Sequence, residues 1–223
     1  LYKLFILCNP HNPIGQIWSV EDVQRMLDIC RANDVLLLSD EVHSDIIRED
    51  ATFNSTLNLN SEKGVIVATA ANKTFNLAEL HITNLIIPDE QVRKTLNAYR
   101  GGAVVISPIA EAAAIAAYGK CEEWANQMNR VLDENIRYMD AFIKENMPMV
   151  RFNPAQGTYL MWLDFRAYGL TERELLTRCS EEAHLILEGG TMFGARSEGF
   201  IRMNIATPKS VLVEALDRLK KIF

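Results

Sequence analysis

Runs of consecutive apolar residues alternate with helical patterns through the first half of the chain. Lys3–Cys8, Val35–Leu38 and Val65–Ala68 read as strands, and Ile82–Ile87 as a further strand interrupted by Thr83 and Asn84. Apolar residues at successive rather than alternate positions mark strands buried on both faces. Leu4–Leu7 therefore predicts a buried strand at the very start. Between the first two strands, Val23, Met26, Leu27 and Cys30 recur on one face of a helix that begins at Ser19. Asp22 lies three residues on, close to a capping box but with Asp in place of Glu. Pro88 closes the fourth strand, and Asp89–Tyr99 reads as a helix. Such an order predicts a mainly parallel α/β sheet. Ligands bind such sheets beyond the carboxyl ends of the strands. Three polar loops follow strands here, Asn9–Gly15, Ser39–Asp45 and Thr69–Asn76, and they are expected to converge on one site.

The second half reads differently. Ile109–Tyr118 is an Ala-rich helix, and Glu122–Glu145 a long amphipathic one whose stripe is Trp124, Met128, Val131, Leu132, Ile136 and Met139. Thr158–Phe165 and Phe200–Ala206 are strand-like. A helix starts near Thr171, where Thr171 and Glu174 have capping-box spacing, and Ser210–Lys221 closes the chain. The expectation is a large α/β domain over residues 1–118 and a smaller α+β domain over residues 119–223. Because Leu1 leads at once into a strand, the chain is expected to begin inside a fold.

Composition narrows the classes. With 223 residues, 48% hydrophobic and 23% charged, the chain can bury a real core. A net charge of −6 argues against general nucleic-acid binding. No apolar run approaches membrane-spanning length, and no secretory leader opens the chain, so a cytoplasmic protein without membrane contact is expected. The four cysteines include no C-x-x-C pair, and the four histidines no H-x-x-x-H, so neither disulfides nor a metal site is expected. Walker A, G-x-S-x-G and G-x-G-x-x-G are absent.

Four residues could carry chemistry. Lys73 follows a strand in Ala-Asn-Lys-Thr-Phe-Asn. Lysine is ordinarily a solvated charge, and becomes a nucleophile only when burial or a positive neighbour lowers its pKa. Asp40 ends a strand in Ser-Asp-Glu-Val-His, where it could be a cap or the partner of a protonated heterocycle nitrogen. Asn12 sits in a doubled Asn-Pro turn. Arg202, among apolar neighbours in Phe-Ile-Arg-Met-Asn-Ile-Ala, either forms a structural ion pair or grips a carboxylate with its planar fork.

Five segments in this order resemble fold-type I pyridoxal-phosphate (PLP) enzymes of the class I/II aminotransferase superfamily, in the cystathionine β-lyase-like C–S lyase branch. They are Cys-Asn-Pro-His-Asn-Pro-Ile-Gly (8–15), Ser-Asp-Glu-Val-His-Ser-Asp (39–45), Lys-Thr-Phe-Asn-Leu-Ala (73–78), Gly-Thr-Tyr-Leu-Met-Trp-Leu-Asp-Phe (157–165) and Phe-Ile-Arg-Met-Asn-Ile-Ala (200–206). The resemblance implies part of a PLP-transferase large domain followed by a small domain, without the family's N-terminal part. It makes Lys73 the Schiff-base lysine and the base that moves the substrate α-proton. It makes Asp40 the partner of the pyridine nitrogen. Asn12 would lie near the cofactor's phenolic oxygen and the substrate carboxylate. His43 stands where many aminotransferases carry tyrosine, and Thr69 and Asn72 join the cofactor set. Arg202 would grip the α-carboxylate.

The implied reaction cleaves cystathionine or a cysteine S-conjugate to a thiol, ammonia and pyruvate. The small sulfur amino acid would be the substrate of a homodimer. An aminotransferase, or a non-catalytic fragment or interaction protein unable to hold PLP, are the alternatives. Departures from the family pattern are Ile14 for threonine, Ala71-Asn72 for Pro-Ser, Glu79 for glycine, His81 for a phosphate-binding arginine, and Glu188-Gly189-Gly190 for Asn-Pro-Gly.

Overall fold

The computed structural model describes residues 2–59, 63–101 and 106–223. The chain divides into two compact units. One comprises Leu1–Pro10, Gln16–Ile47 and Ala51–Asn126; the other His11–Gly15, Arg48–Asp50 and Gln127–Phe223.

The first unit is built on a sheet of β1 (Leu4–Cys8), β2 (Leu36–Asp40), β3 (Val65–Thr69) and β4 (Asn84–Ile86), in that spatial order. The first three strands run parallel, and β4 is antiparallel to β3. The mainly parallel sheet read from the apolar runs is therefore present. Helix α1 (Val20–Ala32) buries Val23, Leu27 and Cys30 in a core with Leu7, Leu37, Val65 and Val67, while Met26 packs at its margin. Ser19 caps α1 by accepting from the Asp22 amide at 3.0 Å. The Asp22 carboxylate accepts from the Ser19 hydroxyl at 2.9 Å rather than from its backbone, consistent with a side chain one methylene shorter than Glu.

One expectation fails in this unit. Leu4, Phe5 and Ile6 are 47%, 40% and 61% exposed, and only Leu7 of the first apolar run is buried. Among the described residues β1 is an edge strand that pairs with β2 alone, and the exposure of Leu4, Phe5 and Ile6 shows that its apolar run is not covered on both faces. The unit continues with the one-turn helix α2 (Ala71–Thr74), α3 (Glu90–Arg100), whose N-terminus is capped by Asp89, and α4 (Pro108–Lys120).

Helix α5 (Glu122–Asn146) begins in the first unit, and its residues from Gln127 belong to the second. Leu132, Ile136, Met139 and Ile143 are buried along it at heptad spacing. The predicted stripe was too wide: Trp124 and Val131 are 51% and 46% exposed. Val131 lies one residue, about 100° of rotation, from Leu132. Trp124 falls in the first unit, where its ring lies 5.7 Å from that of Phe75.

The second unit holds β5 (Arg151–Phe152), β6 (Leu160–Asp164), α6 (Glu172–Glu181), β7 (Glu188–Gly189), β8 (Phe200–Asn204) and α7 (Lys209–Ile222). Its sheet has the order β5-β6-β8-β7, with every pairing antiparallel. Met161, Leu163 and Ile201 from the sheet, Leu175 from α6 and Leu212 and Leu216 from α7 are fully buried. The Thr171–Glu174 capping box forms as predicted. Both strands are shorter than the apolar pattern suggested. Thr158 takes a left-handed φ of 69°, and the Ala206 amide turns to Asn204 Oδ1 at 2.8 Å. Buried Asn135 on α5 donates to the carbonyls of Ile205 (3.0 Å) and Thr207 (2.9 Å), fixing the chain where it leaves β8.

Candidate active site

In the first unit, the loops after β2 and β3 come together at the carboxyl ends of parallel strands, as the sheet rule requires. Asp40 ends β2 in register with Ala68 of β3, and its carbonyl accepts from the Asn9 amide at 2.9 Å. Its half-buried carboxylate takes one backbone contact, from the Val42 amide at 3.3 Å. Beneath it runs a buried polar network that the sequence motifs had not singled out. Ser39 Oγ and the Thr56 amide each donate to Glu41 Oε1 at 2.9 Å, and Thr56 Oγ1 donates to Ser39 Oγ at 2.9 Å. Glu41 is 1% exposed, and its amide donates to the Ala68 carbonyl at 2.8 Å. These bonds fix the Ser-Asp-Glu-Val-His turn. His43 is buried within it, and its carbonyl accepts from Ile46 at 3.0 Å.

The turn after β3 begins with small residues. Ala70 and Ala71 are 4% and 1% exposed, so the turn is buried where it leaves the strand. The chain makes one helical turn, and Asn76 ends it in the left-handed region at φ 54°. Lys73 rides on that turn, half-buried, with no hydrogen bond or ion pair to any described residue. Thr74 Oγ1 donates to Asp45 Oδ2 at 3.0 Å and ties this loop to the one after β2. Asn72 Nδ2 donates to the Ile82 carbonyl at 2.8 Å, and its Oδ1 is buried without a hydrogen-bond partner.

Thr69 bonds Tyr118 of α4, a residue the sequence reading had not placed here. Burial, with help from the Asp45 charge, pushes the Tyr118 hydroxyl up to about 12, against a small opposing pull from that bond. The Phe75 ring meets Tyr118 edge-on at 6.2 Å. No sequence motif marks Tyr118, since it lies in an Ala-rich helix far from the strand ends.

The other candidates belong to the second unit. Residues 11–15 are held there by Gly15, whose carbonyl accepts from Gln156 (2.8 Å) and Gly157 (3.0 Å). The loop contains a cis Asn12–Pro13 bond. Arg202 stands on β8 with its side chain 14% exposed. Its Nη1 donates to Asn12 Oδ1 at 2.8 Å, and its Nε to Glu188 Oε2 at 2.6 Å. The guanidinium carbon lies 4.6 Å from the centre of the Phe193 ring, a cation–π distance. The Tyr159 hydroxyl is held above its ordinary value by burial, against the lowering effect of the Arg202 charge. The structure thus joins Asn12 to Arg202, and sets Asp40, His43, Thr69, Asn72 and Lys73 together in the other unit.

Residues 2–219 match the family model for class I and II aminotransferases. The chain belongs to that family. Cystathionine β-lyase PatB of Bacillus subtilis is 37% identical over 221 residues, a span covering 97% of this chain and 57% of that protein. Cystalysin from Treponema denticola, whose crystal structure contains PLP, superposes with a TM-score of 0.93 at 31% identity, covering 99% of this chain and 57% of that one. The PLP-bound C–S lyase from Staphylococcus hominis in complex with L-cycloserine gives a TM-score of 0.91 at 35% identity, covering 99% and 55%. The family member described here therefore spans little more than half the length of these relatives. Its partial fold-type I architecture agrees with theirs. No helix among the described residues is long and apolar enough to cross a membrane, and no group of three or more His, Cys, Asp or Glu among them could hold a metal ion.

Proposed function

We propose that this chain carries the Schiff-base lysine and the carboxylate-binding arginine of a PLP-dependent C–S β-lyase. Its substrate class would be cystathionine or another cysteine S-conjugate, and its products a thiol, ammonia and pyruvate. The observation that carries the reading is Lys73: a half-buried amine without a described partner, on the turn after a parallel strand, in one unit with the strand-end carboxylate Asp40. The relatives support the lyase chemistry, since PatB is named a cystathionine β-lyase and the Staphylococcus protein a C–S lyase.

The donor set fits PLP at the reacting end. An amine free of carboxylates suits an aldehyde, and Asp40 suits a protonated ring nitrogen. At the phosphate end Asn72 Nδ2 gives one N–H to the Ile82 carbonyl and keeps a second to donate, while its Oδ1 can only accept. When bound, PLP supplies the electron sink for the substrate carbanion. Lys73 would hold the aldehyde carbon and then, as a free amine, take the α-proton. Asp40 would keep the proton on the ring nitrogen, and His43 and Thr69 would line the cofactor. Arg202 and Asn12 would orient the α-carboxylate. The Cβ–S bond then breaks, the thiolate takes a proton, and water converts the remaining enamine to pyruvate and ammonia. A homodimer in the cytoplasm is part of this proposal; the four cysteines, none of them in a disulfide, are compatible with a reducing compartment.

The test uses the full-length protein with added PLP. A visible absorbance band, borohydride reduction that fixes the cofactor to the Lys73 peptide, and pyruvate release from cystathionine are expected. Amino transfer to a 2-oxo acid without pyruvate would favour an aminotransferase, the activity of the family's name. Well-folded protein without a band would favour a non-catalytic chain.

A further inference from the structure

Arg202 already carries a carboxylate. Glu188 faces it directly across β7 and β8. Its Oε2 accepts from Nε at 2.6 Å and also contacts Nη2. Asn12 Oδ1 takes a proton from Nη1 at 2.8 Å. A guanidinium has five N–H donors, so these contacts leave one further donor on each Nη.

The two glycines that follow Glu188 each make a close approach that a larger residue would disturb. A Cβ on Gly190 would lie 1.8 Å from the Ser197 carbonyl oxygen, and one on Gly189 would lie 2.5 Å from the Glu172 side chain. The Glu-Gly-Gly run that departs from the family's Asn-Pro-Gly places an acid against the arginine.

We propose that Glu188 is a specificity-determining residue that makes the Arg202 site favour monoanionic ligands over dianionic ones; cystathionine, whose two carboxylates are offset by two ammonium groups, carries no such net charge and is not penalised in this way. The proposal rests on Arg202 being the carboxylate-binding residue. A lone guanidinium presents a full positive charge to an anion. Paired with Glu188 it presents N–H dipoles with no net charge, and each negative charge on a ligand also meets the Glu188 field. A dianion is therefore disfavoured more than a monoanion. Glu188 is 45% exposed, so the effect is screened by salt and modest in size.

The experiment uses the full-length, PLP-loaded protein and two unreactive probes, propionate and succinate. Dissociation constants are measured by calorimetry and by perturbation of the cofactor absorbance, for the unmodified protein, Glu188→Gln and Arg202→Ala. Glutamine keeps an oxygen for Nε and removes only the charge. Glu188→Gln is expected to tighten propionate about 3-fold and succinate about 10-fold, with the gap closing as salt rises. Equal changes for the two probes, no change, or weaker binding in Glu188→Gln would overturn the proposal and leave Glu188 a structural partner. Arg202→Ala separates the two readings. If it binds both probes like the unmodified protein, the assignment of Arg202 fails. If it loses both while Glu188→Gln changes neither, only the role of Glu188 fails.

Discussion

The two units prepare their candidate residues in opposite ways. In the first, Lys73 stands without a described partner, and Asp40 has one long backbone contact on its carboxylate. The order is invested beneath them, in the buried Ser39–Glu41–Thr56 network and in the alanine turn. In the second unit, Arg202 is saturated on one edge by Glu188, met by Asn12 and stacked on Phe193. The contrast follows from chemistry. A nucleophilic amine must be free of a carboxylate that would hold its proton, whereas a carboxylate receptor gains from a guanidinium whose rotamers are already fixed.

Removing the Lys73 amine tests the first half of that contrast and has the largest expected effect. Lys73→Ala in the full-length protein should lower pyruvate release from cystathionine by about 10³-fold or more, the upper range for a group acting in proton transfer. The borohydride-trapped adduct should vanish with it. Lyase activity within a few fold of the unmodified protein would remove Lys73 from the site.

Arg202→Ala comes next. Losing the charged hydrogen bonds to a substrate carboxylate should cost about 1.5–3 kcal/mol, a rise in KM of roughly 10- to 150-fold, with the cofactor absorbance unchanged. An altered absorbance with an unaltered KM would reverse the two units' roles.

What could be read from the chain beforehand divides along the same line. The parallel strands, α1, the Thr171 capping box and the strand-end position of Asp40 were legible because they depend on local pattern: apolar runs, helical spacing, turn residues. The exposure of Leu4, Phe5 and Ile6 was not, because burial on both faces depends on what lies over the sheet. Glu41 and Tyr118 were not legible either. A buried acid stabilised by a serine and a threonine amide looks, in sequence, like any polar loop residue. Glu188 was visible only as a departure from the family pattern. Its meaning came from facing Arg202 across two strands, a pairing fixed by register rather than by proximity in sequence.

Gly15→Ala sharpens the contrast from the loop side. Gly15 has φ +68°, and an added Cβ would lie 2.2 Å from the Cβ of Ala155 and 3.0 Å from the Gly157 carbonyl oxygen. Left-handed backbone and overpacking together should destabilise the loop by about 1–3 kcal/mol. Because Asn12 sits in this loop, carboxylate probes should bind more weakly while the Lys73 adduct still forms. Thermal denaturation and the same probes read both effects. Full carboxylate affinity in a destabilised variant would show that Asn12 contributes nothing through its contact with Arg202.

The smallest effect is expected at Tyr118. With its hydroxyl pushed up to about 12, this phenol stays protonated and neutral through the physiological range, so it cannot serve as a general base beside Asp45 and Thr69. The sign for stability follows. A raised folded pKa means that the native state keeps its proton longer than the unfolded chain. The stabilisation is therefore complete below about 10, the unfolded value, and is lost as pH rises towards 12. Tyr118→Phe should remove one hydrogen bond, a change of about 1 kcal/mol or less in stability, and should remove that alkaline loss with it. The neutral-pH rate should move by no more than about 3-fold, since about 0.7 kcal/mol would suffice to produce such a change. A loss of the alkaline or acid limb of the rate profile in Tyr118→Phe would instead make the phenol a proton-transfer group. The first unit would then hold two such groups rather than the single amine of Lys73.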